Sequence, residues 1–419
     1  MSRLTAGYGE RTITPPLGVD LAGYGFYLDR KAESVLDDLK CRAVYLRTGK
    51  TALLLLSCDL IGFTVEDADA IRSQIAAAHG LAREAVLLAA THTHCGPATQ
   101  PMPGLGDVDA AYMERLPALI LEAAADAAAA PRPADLAYAL EAIEPLGYNR
   151  RKNDFCGVDP VLKAVILRTP AQRTYLLSYA CHAVVFGRRS HVSADWPGAV
   201  VREIEKAGDR ALFVQGFCGD IDPLLQKNRW GEGTVADLAD IADLVRRRLF
   251  RAERYAVAQP EPRLAAVEHR IAVPLTIYDK RTIERQTAAF ARTYSQFPGA
   301  ARFAEGWRER ALAAAPGLRR TPEVPNVPVQ ALAVGGLKVA ALPGEFFSAI
   351  GLKLQASDGP LVPVGYANGN IGYIPTDRDF KDGTDYACYC APMFYQLFPF
   401  QAGVERTFLK EARRALRSI

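Results

Sequence analysis

Two histidines one residue apart, His92 and His94, follow an apolar run at 85–90 that reads as a buried strand. They lie in Thr91-His92-Thr93-His94-Cys95-Gly96-Pro97, where Gly96-Pro97 stops the strand and turns the chain. In an extended chain residues i and i+2 face the same way, so both imidazoles are expected to aim at one object. Two of only six histidines in 419 residues stand here. Neutral imidazole is the commonest metal ligand, which makes a metal site the first expectation. The plainer reading is a hydrogen-bonded pair at a strand end, because two ligands are too few for a zinc site.

Elements with the same order of signals supply other polar residues. A hairpin over 41–57 ends in Cys58-Asp59, and a helix over 66–79 follows, acidic at Glu66 and Asp67 and closed by Gly80. The next strand is the one that ends at His92. A second hairpin over 162–180, turning at Pro170, ends in Cys181-His182. Pro197 then opens a helix to about 207, and a strand at 211–215 leads to Gly219-Asp220 and Asp222. A third hairpin over 329–342 ends in Pro343-Gly344-Glu345; a helix at 347–355 and a strand at 361–365 lead to Asn368 and Tyr373. The expected fold class is α/β, with mixed β-sheets, flanking helices and internal hairpin-helix-strand repeats. Strands that feed helices place their C-terminal ends on one sheet edge, where α/β ligands bind. Asp59, His92, His182, Asp220, Asp222, Glu345 and Tyr373 are therefore expected around one cleft. Against the repeat stands the commonness of apolar runs alternating with helices.

The remaining chain reads as scaffold. Residues 7–27, rich in Gly and aromatics with Gly23-Tyr24-Gly25, suggest an irregular loop or edge strand. An Ala-rich helix is expected at 109–130 and an amphipathic one at 235–255, whose Arg246-Arg247-Arg248 reads as a solvated face. A helical insertion at about 277–320 reads as scaffold or as a lid over the cleft. Pro322, Pro325 and Pro328 suggest a stiff connector after it, and a basic helix covers 404–419. Composition, at 49% hydrophobic, supports a large core, and one domain over 1–419 is expected. A net charge of +3 without a Lys/Arg block argues against a nucleic-acid partner. No run of about 18 apolar residues suggests membrane insertion. Met-Ser-Arg-Leu-Thr carries no signal-peptide h-region, and several of the eight cysteines lie in apolar runs, so a reducing, cytoplasmic setting is expected. A homo-oligomer is left open.

Taken together, these segments resemble the neutral/alkaline ceramidase family. Thr91–Pro97 is similar to that family's THTHSGP, Tyr148-Asn149-Arg150 to its NRS segment, and Gly219-Asp220-Ile221-Asp222-Pro223 to GDVSP. Ala180-Cys181-His182 with Ser193-Ala194-Asp195-Trp196-Pro197-Gly198 continues the likeness. Leu342-Pro343-Gly344-Glu345-Phe346 matches PGEF, and Ala367-Asn368 with Tyr373-Ile374-Pro375-Thr376 is similar to AN…YITT. The matches keep family order from about Gly7 to Tyr389. The resemblance implies a ceramidase-type catalytic domain with one Zn²⁺ per chain held by His92, His182, Glu345 and Tyr373. It also implies that His94 and Arg150 meet the substrate carbonyl, or the oxyanion formed from it, as charge develops. Arg150 as a surface ion-pair partner is the plainer reading. Asp59 and Asp195 are candidates for orienting the ligand histidines, or for helix caps.

Two departures bear on function. Asp222 stands where ceramidases carry the serine of GDVSP, so a metal-activated water, oriented by Asp222 or Asp220, replaces a serine nucleophile in this reading. Ceramidases also carry a C-terminal immunoglobulin-like domain and are usually exported, which argues for a small cytosolic amide, or a related ester or lactone, in place of ceramide. The alternatives are a ceramidase proper acting on N-acyl sphingosine, a phosphoesterase with a second metal held by Asp59, Asp220 and Asp222, and a non-catalytic binding homologue. Cys95 beside His94 reads as a small filler before a thiolate nucleophile. Cys388 and Cys390 lack partners at zinc-ribbon spacing.

Overall fold

In the strand Thr51–Cys58 (TALLLLSC) every residue after the first is buried, as expected for a strand covered on both faces. The computed structural model, which describes residues 3–383 and 385–419, pairs this strand antiparallel with Lys40–Thr48 and parallel with Val86–Ala90. The helix Val65–His79 makes the crossover; Thr64 caps it and Gly80 ends it in the left-handed conformation. The strand Arg173–Tyr179 pairs antiparallel with Val161–Arg168 and parallel with Arg210–Gln215, with the helix Asp195–Lys206 between. Leu337–Ala341 pairs antiparallel with Glu323–Val334 and parallel with Leu361–Val364, with Ser348–Asp358 as the crossover helix. The architecture is mixed α/β, as the alternation of hairpins and helices implies.

The apolar faces of the three sheets meet in a shared core that includes Leu55, Leu87, Leu176, Leu212, Val339 and Val362. Each such side chain contributes roughly 1.5–3 kcal/mol by leaving water. The ends of the three parallel strands are tied to one another. Ala90 N–H donates to Tyr366 O at 3.1 Å, Gly365 N–H to Gln215 O at 3.0 Å, and Gln215 Nε2 to Thr91 O at 3.1 Å. The C-terminal ends, and the polar residues that follow them, are gathered by these bonds.

Two elements narrow or correct the sequence reading. Thr5–Thr12 is no loop but a strand, the second of the two readings of that stretch, paired along its whole length with Lys40–Thr48. Its glycines serve helix packing: a Cβ on Gly7 would stand 2.0 Å from Ala127 O, and one on Gly9 2.3 Å from Ala123 O, both in the helix Ala110–Ala129. The proline-rich stretch after the insertion is no connector either, but the start of the strand Glu323–Val334. Its neighbour Leu337–Ala341 pairs only from Gln330 onward, so Pro325 and Pro328 lie where the strand is paired on one side alone. The register shift between Ile271 and Val273 absorbs the irregularity.

The insertion consists of the helices Lys280–Thr293 and Ala300–Leu318. Phe290 and Phe303 from these helices pack against Phe26 and Phe394, so the insertion forms a buried aromatic wall. Arg246 and Arg247 pair with Asp243, and Arg248 with Glu144, as a solvated helix face does. Among the described residues no helix is long and apolar enough to cross a membrane.

Candidate metal centre

The strand before His92 ends at Ala90, two residues earlier than the motif suggests. His92 itself is left-handed, with φ 62°. The alternation argument for two parallel imidazoles therefore does not apply. The rings meet because the kink folds the chain back: their centroids are 4.8 Å apart and nearly perpendicular. His182 N–H donates to Ile221 O, and Thr93 bridges to Ala183, which sets the second histidine loop beside the first. Glu345 and Tyr373 are direct partners in a short parallel pairing, so their side chains project from one face.

The ligand-type nitrogens of His92, His94 and His182 all lie within 4.8 Å of one another, and this group could hold a metal ion. Hydrogen bonds to Nδ1 separate the three rings. His92 Nδ1 lies 2.6 Å from Ile61 O, and His182 Nδ1 2.7 Å from Cys218 O. A carbonyl only accepts, so both rings carry the proton on Nδ1 and present a lone pair at Nε2. His94 is opposite: its Nδ1 accepts the Tyr24 backbone N–H at 3.3 Å, which leaves its proton on Nε2. His94 is thus a hydrogen-bond donor, 3.2 Å from His92 Nε2.

Glu345 Oε2 stands 3.4 Å from His92 Nε2 and 3.3 Å from His182 Nε2. All three side chains are buried, and His182 Nε2 has no hydrogen-bond partner among the described residues. Lone pairs on two nitrogens and a carboxylate converge, an arrangement that needs a cation or a proton between them. Burial opposes ionisation of Glu345, yet the His92 and His182 rings hold it well below the usual carboxylate range. Burial also pushes His92 below the ordinary histidine value, with Glu345 opposing, and pushes His94 far below it. Burial opposes a proton on His182, but Cys218 and Glu345 outweigh it and push the ring up to about 10, so a proton on this ring answers Glu345 until a divalent cation displaces it. Imidazoles freed of that proton, beside an ionised carboxylate, are the donor set such a cation takes.

His92, His94 and Glu345 line a cavity of about 370 Å³ together with Arg150, Asp222, Tyr373 and Tyr395, while His182 is fully buried and meets it through Glu345. Arg150 spans it: Nη1 donates to Asp222 Oδ1 at 3.1 Å, and Nη2 to Tyr373 Oη at 2.8 Å and Gly219 O at 2.9 Å. Burial raises the Tyr373 phenol above its ordinary value, and the guanidinium opposes the rise. Asp222 Oδ2 accepts no hydrogen bond among the described residues and belongs to a side chain that lines the cavity.

Other expected site residues lie elsewhere. Asp220 does not line the cavity; its carboxylate accepts from Asn149 Nδ2 and from Ser348 N–H, both at 2.8 Å, and braces the start of a helix. Asp59 is buried against Arg42 Nη1 at 3.0 Å. Asp195 accepts the backbone N–H groups of Val185, Phe186 and Trp196, and shapes the loop after His182 without touching a histidine ring. Backbone carbonyls orient the rings in their place. Asp59 and Asp220 are turned to these donors, and among the described residues no group of three metal-type ligands includes them or Asp222. Burial pushes the Cys95 thiol up to about 12, and Sγ donates to Gly187 O, so it is a filler. Cys388 and Cys390 belong to the single turn Tyr386–Cys390, apart from the histidine group.

Sequence reasoning missed Tyr24, Trp230, Tyr366, Tyr386 and Tyr395 near the site. Only Tyr24 left a signal, the flanking glycines: a Cβ on Gly23 would stand 2.3 Å from His94 Nδ1.

No protein-family model matches the chain, and no curated protein matches it in sequence. Among solved structures it is similar to neutral ceramidase from Pseudomonas aeruginosa, with a TM-score of 0.75 and 17% identity, over 100% of this chain and 75% of that one. A structure described as ceramidase complexed with C2 superposes with a TM-score of 0.74 and 15% identity, with the same coverage. The chain has the fold shared by these ceramidases along its whole length.

Proposed function

We propose that this chain is a zinc-dependent amidohydrolase that cleaves the carbon–nitrogen bond of a small linear amide by attack of water. The observation that carries the reading is the convergence of His92 Nε2, His182 Nε2 and Glu345 Oε2, at 3.3–3.4 Å, beside an N–H donor on His94, at the cavity that His92, His94 and Glu345 line. His92, His182, Glu345 and Tyr373 would hold one zinc ion, which when bound lowers the pKa of a water and polarises a carbonyl. His94 Nε2–H donates to the substrate carbonyl oxygen as it gains negative charge, and Arg150 adds positive charge beside it. Asp222 Oδ2 takes the proton from the attacking water as the new carbon–oxygen bond forms. It returns that proton to the departing nitrogen as the carbon–nitrogen bond breaks. Attack by Asp222 itself is disfavoured, because the tetrahedral adduct it forms with the amide would expel the carboxylate before the amine.

Both ceramidase-fold neighbours support amide hydrolysis, and the eight unpaired cysteines fit a reducing compartment and hence a cytosolic substrate. A cavity of about 370 Å³ lies at the small end of ligand sites, which favours a compact amide. The second reading, hydrolysis of N-acyl sphingosine, is favoured by the names of those neighbours. Elemental analysis of purified protein, followed by a screen of short amides, esters, lactones and N-acyl sphingosine, separates the two. One zinc per chain with turnover of short amides is expected; two metals per chain would move the reading to phosphoester hydrolysis. A single turnover in water enriched in heavy oxygen, with enzyme in excess, tests the step: label is expected in the first product acid. Unlabelled first product would assign the attack to Asp222.

A further inference from the structure

Glu345 is held by more than the histidines. Its Oε1 accepts the hydroxyl of Tyr395. Asn370 Nδ2 donates to the Tyr395 oxygen at 3.3 Å and to Gln100 Oε1 at 3.2 Å. Gln100 Nε2 in turn donates to Phe63 O and Asn370 O, each at 3.0 Å. Gln100 and Asn370 are buried, and the chain of bonds ends on the segment whose Ile61 O orients the His92 ring. One loop, between Cys58 and the helix Val65–His79, thus supports both the carboxylate and the imidazole. The two carboxylate oxygens of Glu345 are divided by this arrangement. Oε1 is taken by Tyr395, and Oε2 alone faces His92 and His182.

We infer that Tyr395 is a positioning residue for the metal centre: its hydroxyl, set by Asn370 and Gln100, holds Glu345 so that a single oxygen faces the cation. The inference rests on the metal-centre reading above and deepens it. A carboxylate can bind a metal through one oxygen or two, and the choice changes coordination number and charge donation at the ion. Hydrogen bonding of Oε1 fixes the one-oxygen mode and leaves room at the ion for substrate or water. Tyr395 also lines the cavity, and its loss removes one oxygen atom from a packed ring without emptying the space.

The test uses the metal alone. Tyr395→Phe is expected to weaken zinc binding roughly 10–100-fold in a chelator competition. With cobalt in place of zinc, the same variant should show weaker visible bands, because a second carboxylate oxygen raises the coordination number toward a more centrosymmetric site. Tyr389→Phe removes a hydroxyl that, among the described residues, bonds the Phe380 carbonyl, and should leave zinc affinity and the cobalt spectrum unchanged. Asn370→Ser keeps the Tyr395 hydroxyl but removes its amide partner; a smaller loss of affinity in the same direction is expected. If Tyr395→Phe fails to fold, the Asn370 variant decides. Wild-type affinity and spectrum in both variants, or in whichever folds, would overturn the inference while leaving the zinc site and the amidase reading intact. A wild-type chain that takes up no metal overturns both.

Discussion

Asp59 and Glu345 occupy corresponding places in two of the three sheets, each just beyond the second strand of a hairpin, and both are buried. Their surroundings differ in kind. Asp59 receives Arg42 Nη1 at 3.0 Å and the Lys40 backbone N–H at 3.0 Å, so its charge is answered within the fold. Glu345 faces the Nε2 atoms of two imidazoles and, among the described residues, receives hydroxyl hydrogen bonds from Tyr366 and Tyr395. A buried carboxylate with its own guanidinium belongs to the scaffold; one set among lone pairs and neutral donors is arranged for a cation from outside. Position after a strand does not distinguish the two. The atoms opposite the carboxylate do.

The largest test of this contrast sets His182→Ala against Asp59→Asn. Removal of the imidazole should abolish zinc binding and turnover while the chain stays folded, since a four-ligand site rarely survives that loss. Asp59→Asn takes from the buried Arg42 guanidinium the nearer of its two carboxylates, leaving Glu205 at 3.5 Å, and should cost up to about 3–5 kcal/mol of stability, with metal content per folded chain retained. Zinc titration and denaturant melts of the two variants separate the effects. Full zinc occupancy in His182→Ala would remove the ligand assignment.

A second test asks on which side of the contrast Arg150 falls, since it pairs with Asp222 much as Arg42 pairs with Asp59 but lines the cavity. Arg150→Ala should lower kcat by roughly 10²–10³ with zinc content unchanged, as expected of charge that acts in the transition state. A rise in KM alone would make it a binder of a remote substrate group. Unchanged kinetics would place it with Arg42 as a brace.

The smallest effect concerns Asp195, a buried carboxylate answered, among the described residues, by backbone N–H groups. Burial pushes it up to about 6. Its folded pKa then lies above the unfolded value of about 3.9, so the folded state holds a proton that the unfolded state has lost. Stability should fall by ~2–3 kcal/mol as pH rises from about 4 to 6. Melts of wild type and Asp195→Asn across that window test it: the variant should lack this part of the slope. Parallel slopes would mean that the backbone donors hold Asp195 ionised throughout.

Sequence alone determined the order of hairpins, crossover helices and parallel strands, because those signals are local: apolar runs, caps such as Thr64, and stops such as Gly80. It also singled out His92, His182, Glu345 and Tyr373, which the structure brings into one neighbourhood. It left Thr5–Thr12 between loop and edge strand, since Gly7 and Gly9 carry no strand preference and serve a helix more than a hundred residues away. Nor could it rank the acidic residues. Asp59, Asp195, Asp220, Asp222 and Glu345 are alike as letters after strands, and which one faces the cavity depends on whether Arg42, a row of N–H groups or an imidazole lies opposite. The proton positions on the three histidines depend likewise on Ile61, Cys218 and Tyr24 backbone groups far apart in the chain. Patterning of apolar residues acts within a few neighbours, whereas desolvation and hydrogen-bond partnership are set only when distant segments are packed together, and these fix which atoms can bind a cation.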